Sequence, residues 1–195
     1  QIIMSFFTES QLKNQRRSVR TFSSTNESLR NFKSESSYLK TKIFLSHKHD
    51  EIEYLEGAIS LLKSYGVDVY VDWLDEGMPK TTSGLTAVKI KEKIKENHKF
   101  ILLATEGAIN SKWCNWELGL GDAAKYIENI ALLPIKRDYI DFSGSEYLEI
   151  YPYIFNIESY QYFKGSYKSQ GTYVVYPSVN GNDKVVPIAE WLRRR

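Results

Sequence analysis

Four short, almost continuously apolar segments alternate with amphipathic helical patterns, and this alternation constrains the fold more than any other feature of the chain. The segments span residues 42–46, 67–72, 100–104 and 130–135. Strands that are apolar on both faces are typical of a parallel sheet covered by helices on each side. With right-handed crossovers, the pattern predicts an α/β fold with a doubly wound parallel sheet.

The carboxyl ends of these predicted strands carry the polar residues of greatest interest. Ser46 and His47 end the first strand, Asp72 and Trp73 end the second, and the loop before Ser111 follows the third. In open α/β sheets, ligands bind beyond the carboxyl ends of the strands. The sequence therefore predicts a ligand site at this edge of the sheet.

A helix predicted to begin near Ser111 would bring a carboxylate to the same edge. Its 3.6-residue spacing predicts one apolar stripe, formed by Trp113, Trp116, Leu120, Ala123, Ala124 and Ile127. Glu117 falls one turn after Trp113, at the edge of that stripe. A carboxylate held beside an indole and an apolar wall loses water, which makes its charge chemically useful. The alternative is a structural glutamate that leans outward to solvent.

The chain outside this region is divided into an N-terminal extension and the rest of the main domain. Residues 1–40 are polar and predict one or two helices that pack on the main domain or on a neighbouring subunit, and residues 41–195 form the domain itself. The basic cluster in the extension is interpreted as a solvated helix face rather than a phosphate site; it comprises Lys13, Arg16, Arg17 and Arg20. Residues 172–176 and 185–191 predict a late strand and a terminal helix.

Charge and cysteine content exclude several classes of protein. A net charge of +2 provides no overall field for nucleic acid or for an anionic membrane, so we expect neither partner. No apolar run approaches the length of a membrane span, and the opening residues do not form a signal peptide. The single cysteine, Cys114, excludes an intrachain disulfide and fits a reducing compartment. We therefore expect a cytoplasmic protein.

Two further kinds of site are considered and set aside. His47 and His49 offer two imidazoles, but no cysteine pair or HExxH helix supplies a third ligand, so no metal and no bound cofactor are predicted. Cys114 lies about 100° round the helix from Trp113, off the apolar stripe and without an evident base, which argues against a nucleophile. The chain contains no Walker motif, no GxGxxG after a strand and no kinase signature.

Several of these segments together resemble the TIR (Toll/interleukin receptor) domain family. Lys42-Ile-Phe-Leu-Ser46-His47 is similar to the first-strand box of the family, and Val69-Tyr-Val-Asp72-Trp73 to its second strand. Residues 75–79 resemble the loop that gates the site or drives assembly. Trp113-Cys-Asn-Trp-Glu117 matches the W-x-x-x-E helix of the enzymatically active branch. The order and spacing of these motifs carry the resemblance.

The resemblance implies a flavodoxin-like fold with a sheet of about five strands. It also implies cleavage of the nicotinamide–ribose bond of NAD, with NAD as a substrate rather than a cofactor. It assigns the catalytic role to Glu117, and Ser46, His47, Asp72, Trp73 and Trp113 to substrate binding. Bacterial members of this branch act in anti-phage defence, and some, as in Thoeris-type systems, build a cyclic or conjugated ADP-ribose signal for a partner effector. Self-association through TIR surfaces is also implied.

Two alternatives to this activity stay open at the level of sequence. Many TIR domains are adaptors that only assemble, and in such a protein Glu117 would be a structural helix residue. A nucleoside deoxyribosyltransferase-like enzyme shares the fold type and a catalytic glutamate. Nicotinamide release from NAD distinguishes the first alternative, and turnover of free nucleosides the second.

Overall fold

A computed structural model describes residues 4–20, 40–79, 81 and 83–194. Residues 21–39 of the predicted extension lie outside this part of the chain. The side chains of Arg16, Arg17 and Arg20, from the predicted solvated cluster, also lie outside it.

Eleven strands and seven α-helices are present in the described residues. The strands are β1 (Met4–Ser5), β2 (Phe7–Thr8), β3 (Lys42–Ser46), β4 (Asp68–Tyr70), β5 (Lys99–Ala104), β6 (Ile130–Lys136), β7 (Tyr153–Ile157), β8 (Gln161–Phe163), β9 (Ser166–Lys168), β10 (Gly171–Tyr176) and β11 (Lys184–Pro187). The helices are α1 (Glu9–Arg20), α2 (Ile52–Lys63), α3 (Gly84–Glu96), α4 (Glu106–Ile109), α5 (Lys112–Ala124), α6 (Ser145–Ile150) and α7 (Ile188–Arg193).

The centre of the molecule is a five-stranded parallel sheet in the order β4-β3-β5-β6-β7. In chain order this is a 2-1-3-4-5 arrangement, the flavodoxin-like form of the doubly wound sheet. The predicted fold class and strand number are therefore confirmed for the parallel part. The antiparallel strands β10 and β11 extend the sheet beyond β7, so β7 is an interior strand rather than an edge.

The chain before α1 also belongs to the sheet. β1 pairs antiparallel with β7 through Met4 and Ile157, and β2 pairs parallel with β6 through Phe7 and Ile135. β6 and β7 pair with each other only at Leu132 and Tyr153. The two short strands thus connect the carboxyl ends of β6 and β7 beyond the point where those strands pair directly.

Alternate residues of the strands point into two separate apolar layers. The first layer joins the sheet to α1, α2 and α7, and the second joins it to α3, α4 and α5. In β3, for example, Ile43 and Leu45 face the first layer, whereas Phe44 faces the second. This side-to-side alternation explains why the strands read as continuous apolar runs.

The predicted helix in the N-terminal extension is present as α1, and it packs directly on α2. Leu12 of α1 is fully buried in the first layer. The backbone of Leu12 passes so close to Gly57 that a Cβ atom at position 57 would lie 2.3 Å from the Leu12 carbonyl oxygen. The absence of a side chain at Gly57 therefore permits this close approach.

The two edge strands of the sheet are short. β4 contains three residues, and β11 contains four and ends at Pro187. The predicted second strand is shorter than expected at its carboxyl end, because Asp72 begins a 3-10 turn that spans Asp72–Leu74. Within the described residues, none of the helices has the length and apolar content required to cross a lipid bilayer.

Candidate functional site

A hydrogen bond between the first parallel strand and helix α5 forms the centre of the site. Ser46, the last residue of β3, donates its hydroxyl to Oε2 of Glu117 over 2.5 Å, and both side chains are buried. Ser111 sets the start of α5, because its Oγ accepts from the backbone N–H of Cys114 as a helix N-cap. The predicted helix and its first residues are therefore present.

The face that α5 turns to the sheet differs from the predicted one. The buried residues are Cys114, Glu117, Leu118 and Gly121. Gly121 lies against the ring of Phe100, where a Cβ atom would approach within 2.9 Å, so the helix sits close to the sheet at this point.

The predicted stripe of apolar side chains is wrong in its position. Trp113, Trp116 and Leu120 are half-buried beside the contact face, Ala123 and Ala124 are exposed, and Ile127 lies beyond the end of the helix. Cys114 is buried, not off the packed face, and burial raises the pKa of its thiol to about 11. A thiol that stays protonated is a poor nucleophile, so Cys114 remains unsuited to that role for a different reason.

Burial dominates the chemistry of Glu117. The side chain is 3% exposed, and removal of water together with the nearby charge of Asp72 raises its pKa to about 8. The Ser46 hydroxyl, His49 and Trp113 oppose this increase by favouring the ionised form. Glu117 is therefore a mainly neutral carboxylic acid near pH 7, and a cation beside it would favour its ionisation.

Asp72 is the second buried acid of the site, and it has two histidines as neighbours. His49 Nε2 is 3.1 Å from Asp72 Oδ2, and His47 Nδ1 is 3.8 Å from Asp72 Oδ1. Burial pushes the pKa of Asp72 upward, but the hydrogen bond from His49 and the charge of that imidazole hold it below its ordinary value. Asp72 is thus ionised while Glu117 is neutral.

The two histidines have opposite properties. Burial lowers the pKa of His47 to about 4 despite the nearby Asp72 charge, so its imidazole is neutral at physiological pH. The His49 side chain is 54% exposed, and its hydrogen bond to Asp72 raises its pKa. Sequence reasoning did not assign His49 to the substrate site. Its spacing of two residues from His47 was the available signal.

Two adjoining cavities open at this edge of the sheet, and His49 and Trp113 line both of them. One has a volume of about 460 Å³ and is bounded by Asp72, Trp73 and the loop at residues 74–79. The other has a volume of about 260 Å³ and is lined by His47 and Ser111. Glu117 lines neither cavity directly.

The loop that forms the wall of the larger cavity is tied to the fold through Asp75. Tyr70 donates its hydroxyl to Asp75 Oδ2 over 2.9 Å, and the backbone N–H of Gly77 donates to Oδ1 over the same distance. Lys89 of α3 additionally donates to the Gly77 carbonyl. Trp73 is 44% exposed on this wall.

The structure brings the predicted site residues to one edge of the sheet. Ser46 contacts Glu117 directly, and His47 and Asp72 form the adjacent cluster with His49. The aromatic residues Trp73 and Trp113 lie on the cavity walls. The structure also places a third candidate ligand beside His47 and His49, which the sequence analysis did not find. It is the carboxylate of Asp72.

Comparison with known proteins identifies the family of the chain. The sequence profile of the TIR domain matches residues 43–164, a range that begins at the second residue of β3 and extends beyond β8. The chain is also 30% identical over 167 residues to a protein of Bacillus cereus (strain MSX-D12) named "Probable 3' cyclic ADP-D-ribose synthase ThsB'". The aligned region covers 77% of this chain and 83% of that protein. The chain therefore belongs to the TIR domain family.

Proposed function

We propose that this protein cleaves the nicotinamide–ribose bond of NAD and that Glu117 is its catalytic residue. The observation that carries the proposal is a buried carboxyl group, hydrogen-bonded to Ser46, beside two cavities at the carboxyl edge of the sheet. The similarity to a protein named as a probable cyclic ADP-ribose synthase supports the same reaction class, because such a product is built from NAD.

Glu117 is suited to a reaction in which positive charge moves onto ribose. Breaking a glycosidic bond passes through an oxocarbenium-like sugar with positive charge near C1′. A carboxyl group in a dry environment interacts much more strongly with that charge than with neutral ribose, so it lowers the barrier. The nicotinamide ring of NAD is itself cationic, and its arrival favours ionisation of the neutral Glu117 acid.

The bond changes need no strong general acid. The bond between C1′ and the nicotinamide nitrogen breaks, and the ring leaves as a neutral base with the bonding electron pair. The ribosyl cation is then captured by a water or hydroxyl oxygen, which loses its proton. This scheme is consistent with a single well-placed carboxyl group rather than the pair that most glycosidases use.

The remaining predicted residues hold and enclose the substrate. Ser46 orients the Glu117 carboxyl through its hydrogen bond. His47 and Asp72 offer polar contacts at the strand ends, and Trp73 and Trp113 provide aromatic surfaces on which a ring can stack.

Substrate access to Glu117 requires a side-chain movement at the cavity wall. Glu117 lines neither cavity in its resting position, whereas Trp113, one turn earlier on α5, lines both. Rotation of the half-buried Trp113 indole is the smallest change that opens a path from the cavities to the carboxyl. Assembly of several copies is one means of favouring the open position.

We further propose that the product is an ADP-ribose derivative, cyclic or conjugated, that acts as a signal in anti-phage defence. A hydroxyl of the same molecule captures the ribosyl cation in the cyclic case. Under this proposal the protein acts in the cytoplasm, self-associates through TIR surfaces and supplies its product to a separate effector.

The proposal is tested by incubating the purified protein with NAD and measuring nicotinamide by chromatography, with mass spectrometry of the second product. A cyclic product is lighter than ADP-ribose by one water. Glu117→Gln should retain the fold and the hydrogen bond from Ser46 but release no nicotinamide above background.

Glu149→Gln is the matched control, because it makes the same change at an exposed position on α6. It should release nicotinamide at the wild-type rate. Wild-type turnover by Glu117→Gln, in a sample concentrated enough to self-associate, would remove Glu117 from the mechanism.

One observation favours the assembly alternative. Because Glu117 is screened from both cavities, the same structure is consistent with an adaptor in which this residue only supports α5. In that case concentrated protein would form defined oligomers in light scattering yet release no nicotinamide.

A further inference from the structure

Three side chains at the mouth of the site have the composition of a transition-metal site. His47, His49 and Asp72 each place one ligand atom within 4.8 Å of the ligand atoms of the other two. Nitrogen and oxygen donors about 3.3 Å apart fit a tetrahedral ion with bonds near 2.0 Å. The 3.1 Å between His49 Nε2 and Asp72 Oδ2 already satisfies that spacing.

The two ring nitrogens of His47 have different surroundings. Its Nδ1 lies 3.4 Å from the carbonyl oxygen of Leu45 and 3.8 Å from Asp72 Oδ1. Its Nε2 is buried and has no hydrogen-bond partner among the described residues. Metal-binding histidines commonly donate one ring N–H to a backbone carbonyl and bind the ion through the other nitrogen.

The burial of the three groups also suits an ion held at the edge of the protein. His47 and Asp72 are buried, at 3% and 5% exposed. His49 is half-exposed, which provides a route for the ion from solvent.

We propose that His47, His49 and Asp72 bind a zinc ion at the mouth of the site and that the bound ion blocks turnover of the substrate. Two imidazoles and one carboxylate form the ligand set of open zinc sites, whose fourth position is left to water. Magnesium and calcium prefer oxygen ligands and are poor competitors for such a set.

The block on turnover rests on the function proposed above, whereas the binding of zinc does not. Under that function, His47 and Asp72 contact the substrate at the strand ends, and zinc would occupy the same side chains. A doubly charged ion next to Asp72 would also repel the cationic nicotinamide ring. Zinc should therefore act as an inhibitor that competes with NAD.

Binding is measured by titrating chelator-treated wild-type protein with ZnCl₂ in a calorimeter, without NAD. The critical variant is His49→Gln, because residue 49 is half-exposed and glutamine keeps a donor toward Asp72 while it removes the imidazole. We expect one ion per chain in the wild type and at least about 10-fold weaker binding in the variant. Titration with MgCl₂ should give no comparable heat.

His98→Gln is the matched control, since His98 is the third histidine of the chain and lies at the start of β5 rather than in the cluster. It should bind zinc as the wild type does. Equal zinc affinity in wild type and His49→Gln, or no binding to the wild type, would overturn the metal site and leave the proposed NAD cleavage intact.

The effect of zinc on turnover is measured as the rate of nicotinamide release at several NAD concentrations, with and without ZnCl₂. We expect zinc to raise the apparent KM of the wild type and a chelator to reverse the effect. Zinc that binds with the expected stoichiometry but leaves KM unchanged would overturn the inhibitory part of the proposal. If the protein releases no nicotinamide in the presence of a chelator, this result would contradict the proposed function instead. The calorimetric test of zinc binding would still be valid.

Discussion

At the scale of single residues, two neighbouring carboxyl groups of the site differ in protonation state because their environments differ. Asp72 has an imidazole hydrogen bond and stays ionised, while Glu117 has an apolar surround and a hydroxyl partner and has a pKa of about 8. Such divergence between neighbouring acids is common where one of them reacts. It also makes the activity of the protein sensitive to pH.

We expect kcat/KM for nicotinamide release to rise with pH up to about pH 8, because the proposed mechanism uses the ionised form of Glu117. Below that point the rate should fall about tenfold per pH unit. Initial rates across roughly pH 6 to 9 would show this dependence.

His49 is the other group of the site that titrates nearby, since its pKa is raised from 6.5. If Glu117 sets the pH midpoint, His49→Gln should keep a midpoint but move it to higher pH, because His49 favours the ionised form of Glu117. A rate that is flat over the whole range would exclude Glu117 as the titrating group.

The raised pKa of Glu117 also predicts how the stability of Glu117→Gln, relative to the wild type, changes with pH. The folded wild type keeps a proton that the unfolded chain releases near pH 4.5, so its stability falls as pH rises from about 4.5 to about 8. The slope is at most about 1.4 kcal/mol per pH unit. Glutamine does not titrate. The free energy of unfolding of the variant should therefore increase relative to that of the wild type as the pH rises toward 8.

Denaturant unfolding at several pH values measures this difference. Glu149→Gln again serves as the control and should follow the wild type at every pH, since Glu149 is exposed. A Glu117→Gln curve parallel to the wild type would mean that the folded carboxyl ionises near pH 4.5, as it does in the unfolded chain.

Trp113→Ala should reduce kcat/KM less than Glu117→Gln does, because the indole shapes the cavity wall without reacting. Removal of a half-buried indole should also lower the free energy of unfolding by about 1–3 kcal/mol. Steady-state kinetics and denaturant unfolding measure the two effects.

Trp116 packs against Trp113 with tilted rings, whose centroids are 4.8 Å apart, but it lines neither cavity. Trp116→Ala should therefore lose comparable stability and retain wild-type kinetics. Equal kinetics in both tryptophan variants would show that Trp113 is not part of the substrate wall.

At the scale of elements, the strands could be predicted and the orientation of α5 could not. A strand that packs on both faces leaves a continuous apolar run, which is visible in the sequence. The buried face of α5 contains a carboxyl, a thiol and a glycine, and such residues carry no apolar periodicity. The more hydrophobic tryptophans on the flank of the helix therefore gave the wrong face.

Other parts of the site and fold depend on contacts between distant residues. His49 and Asp72 are 23 positions apart, and only the parallel pairing of β3 with β4 brings them together. The two-residue strands β1 and β2 likewise form because β6 and β7 provide partners more than 120 residues later in the chain. Local sequence patterns contain no signal for pairing of this kind.

The packing of α1 on α2 gives an element-scale prediction. Gly57→Ala should destabilise the protein by about 1–3 kcal/mol, because the new Cβ atom meets the backbone of Leu12 and the helix must shift. Gly119→Ala makes the same change on α5 at a position with no atom within 4 Å of the new Cβ, and should stabilise by about 0.5–1 kcal/mol.

Thermal and denaturant unfolding of the two variants provide the comparison. Gly57→Ala with wild-type stability would mean that α1 does not pack on α2 in solution. Circular dichroism would confirm that both variants keep their helical content.

At the scale of the whole molecule, both described ends of the chain pack on the face of the sheet opposite α5. Leu12 of α1 and Trp191 of α7 are fully buried in the first apolar layer, whereas Cys114 and Leu118 of α5 belong to the second. The sheet itself therefore separates the first apolar layer from the candidate site.

Trp191→Ala should lower the free energy of unfolding by about 3–5 kcal/mol, since the indole is fully buried and donates from Nε1 to the Glu128 carbonyl over 2.7 Å. Because the site lies on the other face, kcat measured well below the melting temperature should remain near the wild-type value. Trp191→Phe should lose less stability, and a fall in kcat for either folded variant would contradict the separation of the two layers.

The short outer strands have a consequence for samples at high concentration. Edge strand β4 has three residues, and edge strand β11 has four and ends at Pro187. Strands this short cannot template the growth of a cross-β fibril. As far as the described residues are concerned, any ordered filament should therefore be built from helices and loops and should dissolve back into native subunits. Such a filament should not increase the fluorescence of amyloid-binding dyes.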